Sequence, residues 1–430
     1  MSREAARGSD EMIKHIIKTA LCIGAISAVM CASACRNTDV FTGSEEEATM
    51  HSSVSSVQSE EISVVSVLTE EERREIAIDK IDGFDKKFFV KKLDTGLLEA
   101  FASIYEGVKT NNPDIKFEFS ISSLDLDKLM YLVNYDSPEL FALSGSYVPK
   151  YTDEEHSRVS GVYMTFIETV TGDKKYKIAL DREIEKIKKA VKDKTDYEKE
   201  KYVYDYIFNN TVYNEGYITA GSVYGVLVEH KGRCEGLCKT FALLMRELGV
   251  ECMCVCGTPK WSTDSMFSGH SWNIIKIDGE YYNLDLTLDN LPQDKEGEKA
   301  GSMSEMYCFF NVDDKALSET HELDQTFIDF GAPKCTGTAY NYHTKNGLVI
   351  KKTDDVKGDF LDLLTEHFDG EVLAPLSVRF ENKDNFDELI DNKDDYFQEL
   401  LTNDEAISYD YSTYYSTLSK VIVSEIKQKN

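Results

Sequence analysis

Three side chains in the middle of the sequence have the types needed to move an acyl group: Cys234, His270 and Asp285. A thiolate attacks carbonyl carbon, an imidazole takes the thiol proton and later returns it to a leaving group, and a carboxylate holds that imidazole and stabilises its charged form. Cys234 stands in the run Gly232-Arg233-Cys234-Glu235-Gly236. After it, Leu237, Phe241, Leu244, Met245 and Leu248 fall on one stripe of a helix, and Gly249 is a natural stop. The cysteine is therefore expected at the N-terminus of a buried helix. Backbone N–H groups there are unpaired and the dipole is positive, which favours thiolate and provides donors for an oxyanion.

The other two residues are expected on one hairpin. His270 to Ile277 reads as a strand, Asp278-Gly279 as a two-residue turn, and Glu280 to Thr287 as the return strand. Pairing through that turn sets Ile277 opposite Glu280, Trp272 opposite Asp285 and His270 opposite Thr287. His270 and Asp285 then project to the same side as diagonal neighbours, about 7–8 Å apart at the backbone. A three-residue loop would reverse the parity and separate them.

These blocks resemble the bacterial transglutaminase-like core. The residues that carry the likeness are Gly232-Arg233-Cys234-Glu235-Gly236, Gly249-Val250, His270-Ser271-Trp272-Asn273, Asp278-Gly279-Glu280-Tyr281-Tyr282 and Asp285-Leu286-Thr287-Leu288-Asp289. Leu237-Cys238 and Leu288 depart from the aromatic-containing pattern usual in that family, without touching the three central residues. The resemblance implies an α+β fold with a papain-like core, a Cys234–His270–Asp285 triad, no cofactor or metal, and acyl transfer through a thioester on protein or peptide substrates. Hydrolysis and crosslinking to an amine both occur among such domains, and a non-catalytic cell-surface binding or scaffold module that retains the fold is the alternative function. Tyr224, ten residues before Cys234, is a candidate to line the site or aid the oxyanion, with a packed core position as the alternative. Trp272 is a second candidate for lining.

The elements around this segment divide the 430 residues into five stretches. In residues 1–35, Lys14 and Lys18 precede an apolar run that ends Ala32-Ser33-Ala34-Cys35. This resembles a lipoprotein signal, with Cys35 as the lipidated residue, and implies a lipid-anchored protein on the outer face of a cell membrane. An ordinary signal cut after Ala34 and an uncleaved anchor are the alternatives. Residues 36–69 are rich in Ser and Glu and read as a solvated tether. Residues 70–178 mix helical and strand patterns, including a helix over 95–109 and strands over 115–121 and 159–169. Residues 179–345 form the core, with Met306 to Val312 as a further strand. Residues 346–430 read as a small α/β extension with a helix, a strand over 371–380 and a second helix.

The net charge of −29 repels phosphate backbones, so nucleic acid is not an expected partner. Cys252, Cys254 and Cys256 alternate on a probable strand. They read as small buried hydrophobes, and a zinc site drawing in Cys308 is the alternative. Spacing assigns no disulfide. His230, His321 and His343 have no supporting constellation and read as structural.

Overall fold

The computed structural model describes residues 68–260, 269–290, 306–368, 372–401 and 409–428. Cys35, its signal stretch and tether residues 36–67 lie outside the described residues. Among the described residues no helix is long and apolar enough to cross a membrane.

The N-terminal part packs a helix, Thr95–Lys109, against a three-stranded antiparallel sheet of β1 (Asp114–Ser122), β2 (Leu143–Tyr151) and β3 (Arg158–Phe166), in the order β1-β3-β2. Asp94 caps that helix by accepting the Leu97 N–H at 2.9 Å. Its buried residues Leu98, Phe101, Tyr105 and Val108 recur at the spacing of one helix face. Asp136, which follows the helix Ser123–Tyr135, is fully buried: its carboxylate accepts the Phe89 and Val90 N–H groups at 2.8 and 3.0 Å and pairs with Arg246 at 2.7 Å. That node ties the N-terminal part to the helix that begins at Cys234.

The core follows. A short parallel ribbon joins β4 (Val212–Tyr213) to β5 (Lys231–Gly232), setting Tyr213 beside Gly232. The helix Cys234–Glu247 packs over a four-stranded sheet of β6 (Cys252–Pro259), β7 (His270–Ile277), β8 (Glu280–Leu284) and β9 (His321–Leu323), in the order β8-β7-β6-β9. Leu237, Phe241 and Leu244 on that helix share a hydrophobic cluster with Cys252, Ile275 and Leu284 of the sheet. Met306 to Val312 does not form the expected strand. Tyr307 and Asn311 take left-handed backbone (φ 49° and 57°), and the segment turns through the core, meeting β8 in a single bridge between Asn283 and Val312.

The C-terminal unit has its own hydrophobic cluster around Phe360, Phe380, Leu389 and Phe397. Its sheet runs β10 (Val349–Ile350), β11 (Val372–Phe380), β13 (Val421–Gln428), β12 (Tyr409–Ser416), with the helices Val356–His367 and Lys383–Leu401 packed against it. The hairpin β12–β13 adds to the strand and helices read from the sequence.

Candidate active site

The helix starts at the cysteine. Arg233 is its N-cap in extended backbone and makes no side-chain cap. The β4–β5 ribbon brings the Tyr213 hydroxyl toward the Cys234 backbone N–H. The Tyr213 hydroxyl in turn donates to Glu215 Oε1 at 3.0 Å. Gly236 is required by contact: a Cβ there would run into the Ala220 carbonyl. One turn further on, a disulfide joins Cys238 to Cys254 of β6 with Cα atoms 5.8 Å apart, clamping the helix to the sheet. Cys234 itself is half-buried and not disulfide-bonded.

Next to the thiol lies a buried ionic network. Glu235 accepts from Lys239 and Arg233, each at 2.6 Å, and from the Asn134 amide at 2.9 Å. Burial alone would raise the Glu235 carboxyl, but Lys239 and Arg233 hold it well below the usual carboxylate range.

On the other side stands the hairpin. Asp278 and Gly279 both have positive φ (51° and 87°), as a tight two-residue turn demands, and Ile277 pairs with Glu280 as expected. The register runs on to Asn273 opposite Leu284. The return strand is shorter than the sequence suggested. It ends at Leu284, and residues Leu286–Asn290 are helical, so Thr287 does not face His270 across a ladder. The reason is local: Asp285 Oδ1 accepts the Thr287 N–H at 2.8 Å, which turns the chain. The diagonal relation survives, and His270 Nε2 meets Asp285 Oδ2 at 2.8 Å.

The Cys234 thiol lies close enough to the His270 ring to help hold its charged form. Burial would depress His270, yet the Asp285 carboxylate, helped by Cys234, pushes the ring up to about 10. Asp285 is 1% exposed. Burial would raise its carboxyl, but His270 and His321 hold it well below the usual range. The arrangement can therefore keep an imidazolium between a sulfur and a carboxylate.

Sequence reasoning missed two neighbours. His321 Nε2 lies 3.2 Å from Asp285 Oδ2, the same oxygen that His270 uses. It sits on β9, opposite Pro259 of β6, whereas β7 begins opposite Gly257, so its ring reaches Asp285 past the end of β7. A three-residue strand has too short a pattern to be read from sequence, and no spacing rule links it to Asp285. Tyr213 is the second. Its partner strand, β5, lies just before Cys234, but a two-residue ribbon leaves no periodic signal.

Of the residues proposed to line the site, Trp272 is 1% exposed and backs it: its ring stacks on His270 at 6.2 Å and meets His321 at 5.1 Å. Tyr224 packs between Phe141 and Tyr176, with ring centroids 6.0 and 5.5 Å away, so the packed-core alternative describes it. His343 is buried against Ser377 Oγ at 2.8 Å, in the C-terminal unit's sheet. His230 holds a left-handed turn (φ 57°) whose carbonyl accepts the Val212 N–H.

Cys254, engaged with Cys238, is removed from any zinc set with Cys252, Cys256 and Cys308. His270, Asp285 and His321 offer three possible ligand atoms within 4.8 Å of one another. Both imidazoles lie at hydrogen-bonding distance from the carboxylate, 2.8 and 3.2 Å.

Residues 185–286 match the transglutaminase-like superfamily. That span closes one residue after Asp285. Among solved structures, a crystal structure of a TGase matches at 17% identity over 43% of this chain, with a TM-score of 0.25. The match covers 52% of that chain, so this protein spans about half its length. A comparison with curated proteins finds no match. The α+β chain thus carries a transglutaminase-like core.

Proposed function

We propose that this transglutaminase-like core is a cysteine acyl-transfer centre acting on protein or peptide amides. Cys234 attacks the amide carbonyl as a thiolate, forming a C–S bond and an oxyanion. The C–N bond then breaks as His270 protonates the leaving amine, and a thioester remains. Water or a second amine, deprotonated by His270, attacks the thioester and frees the sulfur. Asp285 orients the imidazole and stabilises its charge. The Cys234 N–H at the helix start is the donor an oxyanion would take, and the Tyr213 hydroxyl would stand beside it.

The observation that carries this reading is the His270 ring, held by Asp285 at 2.8 Å and set near enough to the Cys234 thiol to feel its charge. The net charge of −29 favours basic peptide segments as substrates. Export with a lipid on Cys35, and tethering to the outer face of a cell membrane through residues 36–69, belongs to the same proposal.

The test incubates wild type and Cys234→Ala with casein and a biotin-tagged primary amine. Incorporated biotin signals transamidation, and new N-termini without biotin signal hydrolysis. Either product should be absent with Cys234→Ala. No product from wild type would leave a binding module that keeps the fold.

A further inference from the structure

His321 is a buried polar side chain that the three-residue mechanism leaves unused. It is 2% exposed, yet it points at the one carboxylate on which the triad depends. Resting on the acyl-transfer reading above, we propose that His321 is a positioning residue: a neutral imidazole whose Nε2–H holds Asp285 in the orientation that serves His270.

The proton placement follows from the partners. Asp285 is ionised, so its Oδ2 only accepts, and His321 Nε2 must carry the hydrogen. The other nitrogen, Nδ1, lies 2.7 Å from the Thr320 hydroxyl, which can donate to it. That hydroxyl also lies 3.2 Å from the Leu317 carbonyl and gives its hydrogen to only one of the two. The Leu317 carbonyl also lies beside His321 and favours its charged form, while its aromatic neighbours include Trp272 at 5.1 Å, Phe309 at 5.5 Å and the His270 ring at 5.3 Å. A second imidazolium there would face His270 across a single carboxylate. Burial, the largest cause, and His270 push His321 toward the neutral form, against Asp285 and the Leu317 carbonyl, and the net direction is down.

Asp285 is thus held at both oxygens. Oδ1 takes the Thr287 N–H at 2.8 Å, and Oδ2 is shared between His270 at 2.8 Å and His321 at 3.2 Å. Three donors leave the carboxylate one orientation. Without His321 it can rotate about its last bond, and the His270 contact loosens.

The experiment compares wild type, His321→Leu, His321→Gln and His270→Ala by two readouts. One is the rate at which iodoacetamide alkylates Cys234 at pH 7. The other is the His270 titration followed by nitrogen-15 NMR. Leu fills the space without a donor, whereas Gln offers an amide N–H at the reach of Nε2. In His321→Leu, His270 should titrate at least about one unit lower, with roughly tenfold slower alkylation. In His321→Gln both should stay within about threefold of wild type. If His321→Leu does not fold, Thr320→Val serves instead: freed of the hydroxyl, Nδ1 can keep the proton for Leu317, and the same shift should follow in part.

An unchanged or raised His270 titration in His321→Leu, or equal losses in the Leu and Gln variants, overturns the positioning role. So does a His321 ring that titrates in wild type between pH 5 and 9 (the range in which a charged form would compete). Equal alkylation of wild type and His270→Ala is a different failure, which removes the acyl-transfer reading itself.

Discussion

Two buried carboxylates flank the Cys234 thiol, and they are kept ionised by different means. Glu235 is held ionised by Lys239 and Arg233, a primary amine and a guanidinium. Asp285 is met by two imidazoles, His270 and His321, whose protons can move. In the proposed reaction the first cluster serves structure, while the second passes a proton to and from sulfur. Burial and a depressed carboxyl are common to both, so neither property alone marks a catalytic acid–base pair. The identity of the partner does.

The sharpest way to break this comparison is to neutralise each carboxylate in turn. Asp285→Asn should slow Cys234 alkylation at pH 7 by about 100-fold or more, the scale of lost acid–base assistance. Glu235→Gln should leave that rate within roughly threefold, because no moving proton is lost. Comparable losses in both would erase the distinction.

Stability should reverse the order of effects. Glu235→Gln leaves Lys239 and Arg233 without their counter-charge in a buried place and should cost about 3 kcal/mol in a urea melt, the low end for a broken buried pair.

The pH dependence of stability sharpens the comparison further. His270 is raised from its ordinary 6.5 to about 10, so its contribution is whole below 6.5 and lost as pH climbs through 10. Asp285 is lowered from 3.8, so its contribution is present above 3.8 and lost as pH falls below it. Wild type should therefore lose more Tm between pH 7 and about 10 than His270→Gln does, while Glu235→Gln keeps the wild-type slope. A smaller effect is expected at Tyr213→Phe, which removes the hydroxyl brought toward the Cys234 N–H; the yield of thioester-derived product should fall about tenfold or less, with Tm shifted by roughly 2 °C at most.

How much of this was legible in the sequence follows from range. The helix at Cys234 carries five apolar residues on one stripe, and the Asp278-Gly279 turn fixes a two-residue register, so both read directly from local pattern. His270 and Asp285 then meet because they flank the same turn. Thr287 was misread because the Asp285 side chain bends its own backbone, a competition that alternating hydrophobicity does not reveal. Met306 to Val312 has the apolar content of a strand, but left-handed turns at Tyr307 and Asn311 fold it inward. His321 arrives from 36 residues beyond Asp285 on a strand of three residues, and Tyr213 from a ribbon of two. Contacts of that kind depend on the assembled sheet, not on any period. The same holds for Tyr224, whose distance of ten residues from Cys234 suggested proximity, whereas its ring packs with Phe141 and Tyr176.

The central claim is that His270 keeps the Cys234 sulfur reactive. Its most direct test is the alkylation rate of Cys234 as a function of pH, in wild type and in His270→Ala. At pH 6 the wild-type protein should react about 100-fold faster than the variant, with the two curves converging as pH rises above about 9. Curves that coincide from pH 5 to 9 would contradict the account, because the imidazole would then contribute nothing to the thiol beside it.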